Sequence, residues 1–209
     1  FRRLVTTNCS SIASNEVTVS ISSLSTNPSS IIASPASICG SGTVDLSVNG
    51  GYLGSGAQWV WYIGDPNAGG TILGPGNPLT GISISNSTDF YVQAEGNCDT
   101  SSTINQLVIV ETPSTAPISL SSTQTIICEG DAIDLTANGG IAGSNALYTW
   151  YDSNPTTSPS APIFTSTTNV FSGLTPNVST TYFVGIEGCD TTTSASVAIT
   201  VETLSIEPT

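Results

Sequence analysis

The sequence predicts an all-β chain built of tandem β-sandwich repeats. Three observations lead there. One ordered series of motifs occurs twice: Cys39, then Val44-Asp45-Leu46-Ser47-Val48, Trp59-Val60-Trp61-Tyr62, Asp89-Phe90-Tyr91-Val92 and Asn97-Cys98-Asp99-Thr100, a series that returns between Cys128 and Cys189. Apolar residues alternate with polar ones over short runs, as half-buried strands require. Glycine and proline interrupt the chain too often for a helical period to persist.

The repeat sets the domain limits. Cys39 and Cys128 are 128 − 39 = 89 residues apart, and Trp61 and Trp150 keep the same offset. Tyr91 and Tyr182, like Cys98 and Cys189, are 91 apart, which places an insertion after the tryptophan. Details persist: Asn49-Gly50-Gly51 matches Asn138-Gly139-Gly140, and Val110-Glu111-Thr112 matches Val201-Glu202-Thr203. Residues 1–21 align with residues 90–110, with Cys9 on Cys98. The expected organisation is therefore residues 1–24 as the closing strands of a preceding repeat, 25–112 and 113–203 as complete repeats, and 204–209 as the start of a linker to a further one. A lone two-stranded hairpin is marginal in water, so residues 1–21 are expected to be covered by other protein.

Taken in order, Val17, Val19 and Ile21 read as one strand face. Val44, Leu46 and Val48 read as another, mirrored by Ile133 and Leu135. Trp59, Trp61 and Ile63 follow, mirrored by Tyr148 and Trp150, and Val197, Ile199 and Val201 close the second repeat. Turns are expected at Gly50-Gly51, Gly54-Ser55-Gly56, Asp65-Pro66, Gly74-Pro75-Gly76, Asn154-Pro155 and Ser158-Pro159. Trp61 and Trp150 keep phase and position in both repeats and are expected in the core. Alternation puts Tyr62 and Tyr151 on the opposite, exposed face. The connectors, residues 24–37 and 112–126, carry Pro28, Pro35, Pro113 and Pro117, which favour a stiff, extended linker and a rod-like array.

Charge and composition narrow the function. The net charge is −13, and the only basic residues are Arg2 and Arg3. A nucleic-acid partner needs a basic footprint, and an anionic membrane surface would repel this chain. No apolar run approaches the length of a membrane span, and no signal peptide is visible. Histidine and lysine are absent, so neither a histidine-based triad nor a Schiff-base lysine is available, and the chain is expected not to be an enzyme.

Five cysteines at repeated positions point to disulfides in an oxidising compartment. Recurrence within each repeat pairs Cys39 with Cys98 and Cys128 with Cys189, leaving Cys9 for an upstream partner. Each loop of about 60 residues would contribute roughly 4 kcal/mol on the chain-entropy estimate. Zinc is disfavoured, since the cysteines are isolated and no histidine is present. A Cys128–Cys189 bond would bring Glu129 and Asp190 together with Asp131 and Asp134 nearby, a candidate calcium site of carboxylate oxygens. The first repeat has Gly40 and Gly42 in place of Glu129 and Asp131, so such a site would not recur, and a solvated acidic edge is the competing reading.

The Cys…Trp…Tyr…Cys order resembles an immunoglobulin-type sandwich, although the cysteines flank their strands instead of crossing the centre. Tyr91 and Tyr182 would take the place of a tyrosine corner. The runs Cys128-Glu129-Gly130-Asp131, Ile133-Asp134-Leu135-Thr136-Ala137, Tyr148-Thr149-Trp150-Tyr151, Ser179-Thr180-Thr181-Tyr182-Phe183-Val184, Glu187-Gly188-Cys189 and Ala198-Ile199-Thr200-Val201 resemble the Ig-like and PKD-like repeats of giant surface proteins. Those proteins belong to gliding bacteria that use the type IX secretion route. The resemblance implies an exported, extracellular, cell-surface protein whose repeats form stalks, adhesins or filaments.

Two functions follow. One is a structural spacer that self-associates into a multi-subunit fibre or hook. The other is a glycan- or cell-binding adhesin module that uses the sandwich loops. The loops at 64–76 and 153–162 differ in composition between repeats, which favours the spacer. Asn8, Asn86 and Asn177 fit the Asn-x-Ser/Thr glycosylation pattern, and Asp190-Thr191-Thr192 resembles a bacterial O-glycosylation motif.

Overall fold

The computed structural model describes residues 3–6, 8–9, 11–158 and 161–203, the side chains of residues 11 and 12 excepted. The expected linker at 204–209 and the turn at Pro159 lie outside the described residues. The chain divides into two compact units. Unit 1 comprises Phe1–Ser34, Asp45–Ile82 and Asp89–Leu107, and unit 2 comprises Pro35–Val44, Ser83–Thr88 and Val108–Thr209.

Among the described residues, regular structure is strand apart from one 3-10 turn, Pro66–Ala68. The first series is β1 (Leu4–Thr6), β2 (Ser11–Ala13), β3 (Ser30–Ser34), β4 (Ser37–Cys39), β5 (Gly42–Asn49), β6 (Gln58–Ile63), β7 (Thr71–Pro75), β8 (Leu79–Ile84), β9 (Thr88–Glu95) and β10 (Ile104–Glu111). The second is β11 (Ser119–Ser122), β12 (Ile126–Cys128), β13 (Ile133–Asn138), β14 (Leu147–Tyr151), β15 (Phe164–Ser166), β16 (Val170–Leu174), β17 (Thr180–Glu187) and β18 (Ala195–Glu202). Sheet orders β3-β5-β8 and β4-β10-β9-β6-β7 recur as β11-β13-β16 and β12-β18-β17-β14-β15. A three-stranded and a five-stranded sheet per repeat is the sandwich the sequence predicts.

The alternating strands bury the expected face except at Ile63, the exposed last residue of β6. Val44 and Leu46 of β5 are fully buried, as are Ile133, Leu135 and Ala137 of β13 within the unit 2 core. Trp61 and Trp150 are both buried. Trp150 meets Phe171 edge to face at 5.9 Å, and Phe171 stacks on Phe164 at 4.4 Å. Centroid distances in this range suit the aromatic quadrupole.

Three expectations are corrected. The first concerns Tyr62 and Tyr151, which are each only 6% exposed. Each phenol donates to a carboxylate one strand over, Tyr62 to Glu95 and Tyr151 to Glu187. In unit 1, Gln93 also donates to Glu95 at 2.7 Å. A satisfied hydroxyl lets the ring be buried, so the central strand is covered on both faces and the alternation fails there.

The second concerns the repeat register in the tyrosine strands. Tyr62 pairs Tyr91, whereas Tyr151 pairs Phe183. The true offset here is 183 − 91 = 92, so Tyr182 takes the place of Phe90, and Tyr91 and Tyr182 are not equivalent. Asn97 is the extra residue that restores the 91-residue offset at Cys98. A slip of one residue reverses the face, which is why Tyr182 is buried and Tyr91 only half-buried.

The third concerns residues 1–21. β1 pairs β2 over three residues, Leu4↔Ala13 to Thr6↔Ser11. Val17, Val19 and Ile21 form no strand and are 61%, 67% and 96% exposed. Among the described residues the hairpin pairs no third strand, and it lacks the burial that would propagate it.

The buried phenols make stability depend on alkaline pH. Burial first, and then the neighbouring carboxylate, push Tyr62 and Tyr151 from the ordinary 10 up to about 12. The folded chain therefore holds both phenols neutral where the unfolded chain would ionise them. The associated stability is full below pH 10 and is lost as pH rises towards about 12. The denaturant midpoint is expected to fall across that window. Tyr62→Phe with Tyr151→Phe should flatten the fall. An unchanged slope in the double variant would contradict this.

Candidate functional site: a connector clamp and a disulfide

Each repeat fastens the chain segment that enters it by the same three residues. In unit 1, the Ser25 amide donates to Asp99 Oδ2 at 2.7 Å, and Ser25 Oγ accepts from the Gly54 amide at 3.0 Å. In unit 2, the Ser114 amide donates to both Asp190 oxygens at 3.0 and 3.1 Å, and Ser114 Oγ accepts from the Gly143 amide at 3.1 Å. A second serine lies alongside: the Ser55 amide donates to the Ser23 carbonyl and Ser55 Oγ accepts from the Ser23 amide, both at 3.0 Å, and Ser144 does the same with Thr112 at 2.9 Å. Charge-assisted bonds from backbone N–H groups to a carboxylate are the stronger kind and hold the segment in one register.

The glycine is required by space. A Cβ on Gly54 would lie 2.3 Å from the Ser23 carbonyl oxygen, and one on Gly143 would lie 2.1 Å from that of Thr112. Both obstacles are backbone. Any side chain there would displace the connector.

The clamp reassigns one candidate calcium ligand. Asp190 is committed to the Ser114 amide, while Asp131 Oδ2 accepts from the Cys128 amide at 3.0 Å and closes the turn there. Glu129 and Asp131 are exposed. Among the described residues, the one acidic or thiol group of three is Cys39, Cys189 and Asp190, and its two sulfurs are bonded to each other. Glu129, Asp131 and Asp190 are not brought together. Asp190→Ala is expected to cost about 1–3 kcal/mol, because it leaves a buried-side amide without its partner. The cost should be the same with and without a calcium chelator. A loss seen only without chelator would restore the metal reading.

The cysteine pairing differs from the expected one. Cys39 bonds Cys189, with Cα atoms 5.5 Å apart, and both lie in unit 2. Cys9, Cys98 and Cys128 are free and exposed. The geometry of unit 2 explains why Cys128 does not bond Cys189. β12 runs parallel to β18, with Cys128 opposite Glu202 at its last residue. Cys189 lies in the loop before β18 begins. Eight residues of strand, roughly 25 Å, separate the two ends, and a disulfide tolerates at most about 7 Å between Cα atoms. Cys39 likewise sits opposite Glu111, at the last residue of β10, and bonds Cys189 in place of the expected Cys98, which is free. The front cysteine instead lies at the exit of its repeat, beside the connector. Cys189 Sγ is 3.8 Å from the Thr112 carbonyl oxygen of that connector.

The sequence carries signals for the clamp. Ser25 and Ser114, and Gly54 and Gly143, each keep the 89-residue offset. β4 and β12, three residues long, bury only Ile38 and Ile127 and are too short for periodicity to mark.

Among the described residues no helix is long and apolar enough to cross a membrane. Residues 26–113 match the family model described as Ig-like domain, CHU_C associated. No curated protein matches the chain. Among solved structures, murine CEACAM1b is 17% identical with a TM-score of 0.51, over 86% of this chain and 100% of that one. An I-band fragment of titin is 15% identical with a TM-score of 0.48, over 80% of this chain and 62% of that one. Fibronectin(III)-like modules of Clostridium thermocellum CbhA are 12% identical with a TM-score of 0.46, over 83% and 95%. Residues 26–113 are thus an Ig-like domain, and the chain as a whole carries the Ig-like β-sandwich fold.

Proposed function

We propose that this chain is a spacer segment of a large extracellular surface protein, exported by the type IX route, in which successive repeats build a stalk, filament or hook. The observation that carries this reading is the repeated clamp. Ser25, Gly54 and Asp99 in one repeat, and Ser114, Gly143 and Asp190 in the next, fix the entering chain in the same way. A residue set conserved between repeats at the connector, with loops that differ, suits a module selected for how it is joined. Exposed aromatics are sparse among the described residues, Tyr52 and Phe164 being the large ones, and Phe164 stacks on Phe171. That supports a spacer over a loop-borne glycan site, where stacking aromatics are the usual platform. The exposed Val17, Val19 and Ile21 support self-association into a fibre, since a protein surface would cover them.

An in-frame deletion of residues 113–203 in the source cell tests the proposal. Electron microscopy should show a shorter surface projection, with attachment per cell retained. Lost attachment with an unchanged projection would overturn the spacer reading in favour of a binding module.

A further inference from the structure

Three cysteines stay unbonded while their repeat equivalents are bonded to each other. Cys128 is the equivalent of Cys39, and Cys98 and Cys9 are the equivalents of Cys189. The likeness extends to local structure. Cys39 faces Glu111 in a parallel pair and the next amide, Gly40, donates to the Glu111 carbonyl at 2.8 Å. Cys128 faces Glu202 in the same way and Glu129 donates to the Glu202 carbonyl at 3.3 Å. On the rear side, Gly96 donates to the Asp99 carbonyl at 3.0 Å and Gly188 to that of Asp190 at 2.8 Å, and each loop is closed by an isolated bridge, Glu95↔Thr100 and Glu187↔Thr191. The clamp then sets each rear cysteine against the connector that enters its repeat.

We infer that the cysteines of this array bond one repeat out of step, the front cysteine of each repeat to the rear cysteine of the next. Cys39–Cys189 is one such bond. Cys128 takes the rear cysteine of a repeat on its C-terminal side, and Cys98 and Cys9 take front cysteines of repeats on their N-terminal side. The inference rests on the repeat-array reading above. The exposure of all three thiols leaves them accessible for it.

Bond formation needs an oxidant, and a low-molecular-weight disulfide suffices. The Cys128 thiolate attacks one sulfur of glutathione disulfide and expels a glutathione thiolate. The second cysteine thiolate then displaces the other glutathione. Two protein thiols are oxidised, one glutathione disulfide is reduced, and the two protons end on the two glutathione thiols.

The test extends the chain by a further copy of residues 113–203 after residue 203, the copy marked by Thr193→Ser. The chain refolds in glutathione buffer and is mapped without reduction. The expected result is a bond between Cys128 and the rear cysteine of the added copy, with Cys39–Cys189 retained as the control for folding. Cys128→Ser should return that added cysteine to a free thiol. A bond inside the added copy, or an added rear cysteine left as a thiol beside an intact Cys39–Cys189, would overturn the inference. Should the extension not fold, the protein isolated from its own cell surface decides. Peptides holding Cys98 and Cys128 must each be bonded to peptides outside residues 1–209, and free thiols there would overturn it. This map reads pairing alone, so it can fail while the deletion experiment still supports a spacer, and the reverse.

Discussion

Cys39→Ser is expected to lower the unfolding free energy by about 5 kcal/mol, the largest effect of any single polar change in this chain. The bond joins residues 150 apart in sequence. On the chain-entropy estimate a loop of that length constrains the unfolded state by about 5 kcal/mol, at the top of the range for natural disulfides. Cys189→Ser should have the same effect, and the double variant should add nothing, since one bond is lost in each case. Cys98→Ser and Cys128→Ser should stay within about 0.5 kcal/mol, as substitutions of exposed, unbonded side chains do. Denaturant melts with and without reductant measure all four. Pairing inside each repeat requires the opposite outcome, with all four variants costing alike.

The second large effect lies at the two tryptophans, and it is unequal. Trp61→Ala and Trp150→Ala should each cost about 3–5 kcal/mol, as deletion of a large buried ring does. Phenylalanine separates them. The Trp61 Nε1–H donates to the Gly76 carbonyl at 2.7 Å. The Trp150 Nε1–H is buried and has no partner among the described residues. Trp61→Phe strands a carbonyl that had a donor, whereas Trp150→Phe removes a buried donor that had no acceptor. Trp61→Phe is expected to be the more costly by about 1–2 kcal/mol. Equal costs, read from melts of the two variants, would contradict the asymmetry.

The two tryptophans also show what a sequence conveys. Their burial was legible because phase and position recur, and the same logic predicted β5, β13 and β18 and the sandwich they build. It was not able to say that one indole would be satisfied and the other not, because the acceptor comes from a turn fifteen residues on in one repeat. The disulfide was illegible for a related reason. Recurrence says which cysteines are equivalent, but only strand direction says which end of a sheet each one occupies, and β4 and β12 are too short to announce themselves. Asp190 was legible as a carboxylate near a cysteine. Its use as an acceptor for the Ser114 amide depended on where the connector runs.

The same covalent bond sets how far the chain can be drawn out. A polypeptide under tension gains roughly 3.3–3.6 Å for each residue set free. Load entering at Cys39 crosses to Cys189 through sulfur, so the intervening chain, which spans a sequence separation of 150, carries none of it. At about 3.4 Å per residue, some 500 Å of contour length is held back, and unfolding β5 to β17 would yield no slack. Cysteines paired inside their own repeats would instead leave residues 99–127 free to stretch between two closed loops. The pairing found here makes the span from Cys39 to Cys189 an almost inextensible tether until the bond is reduced.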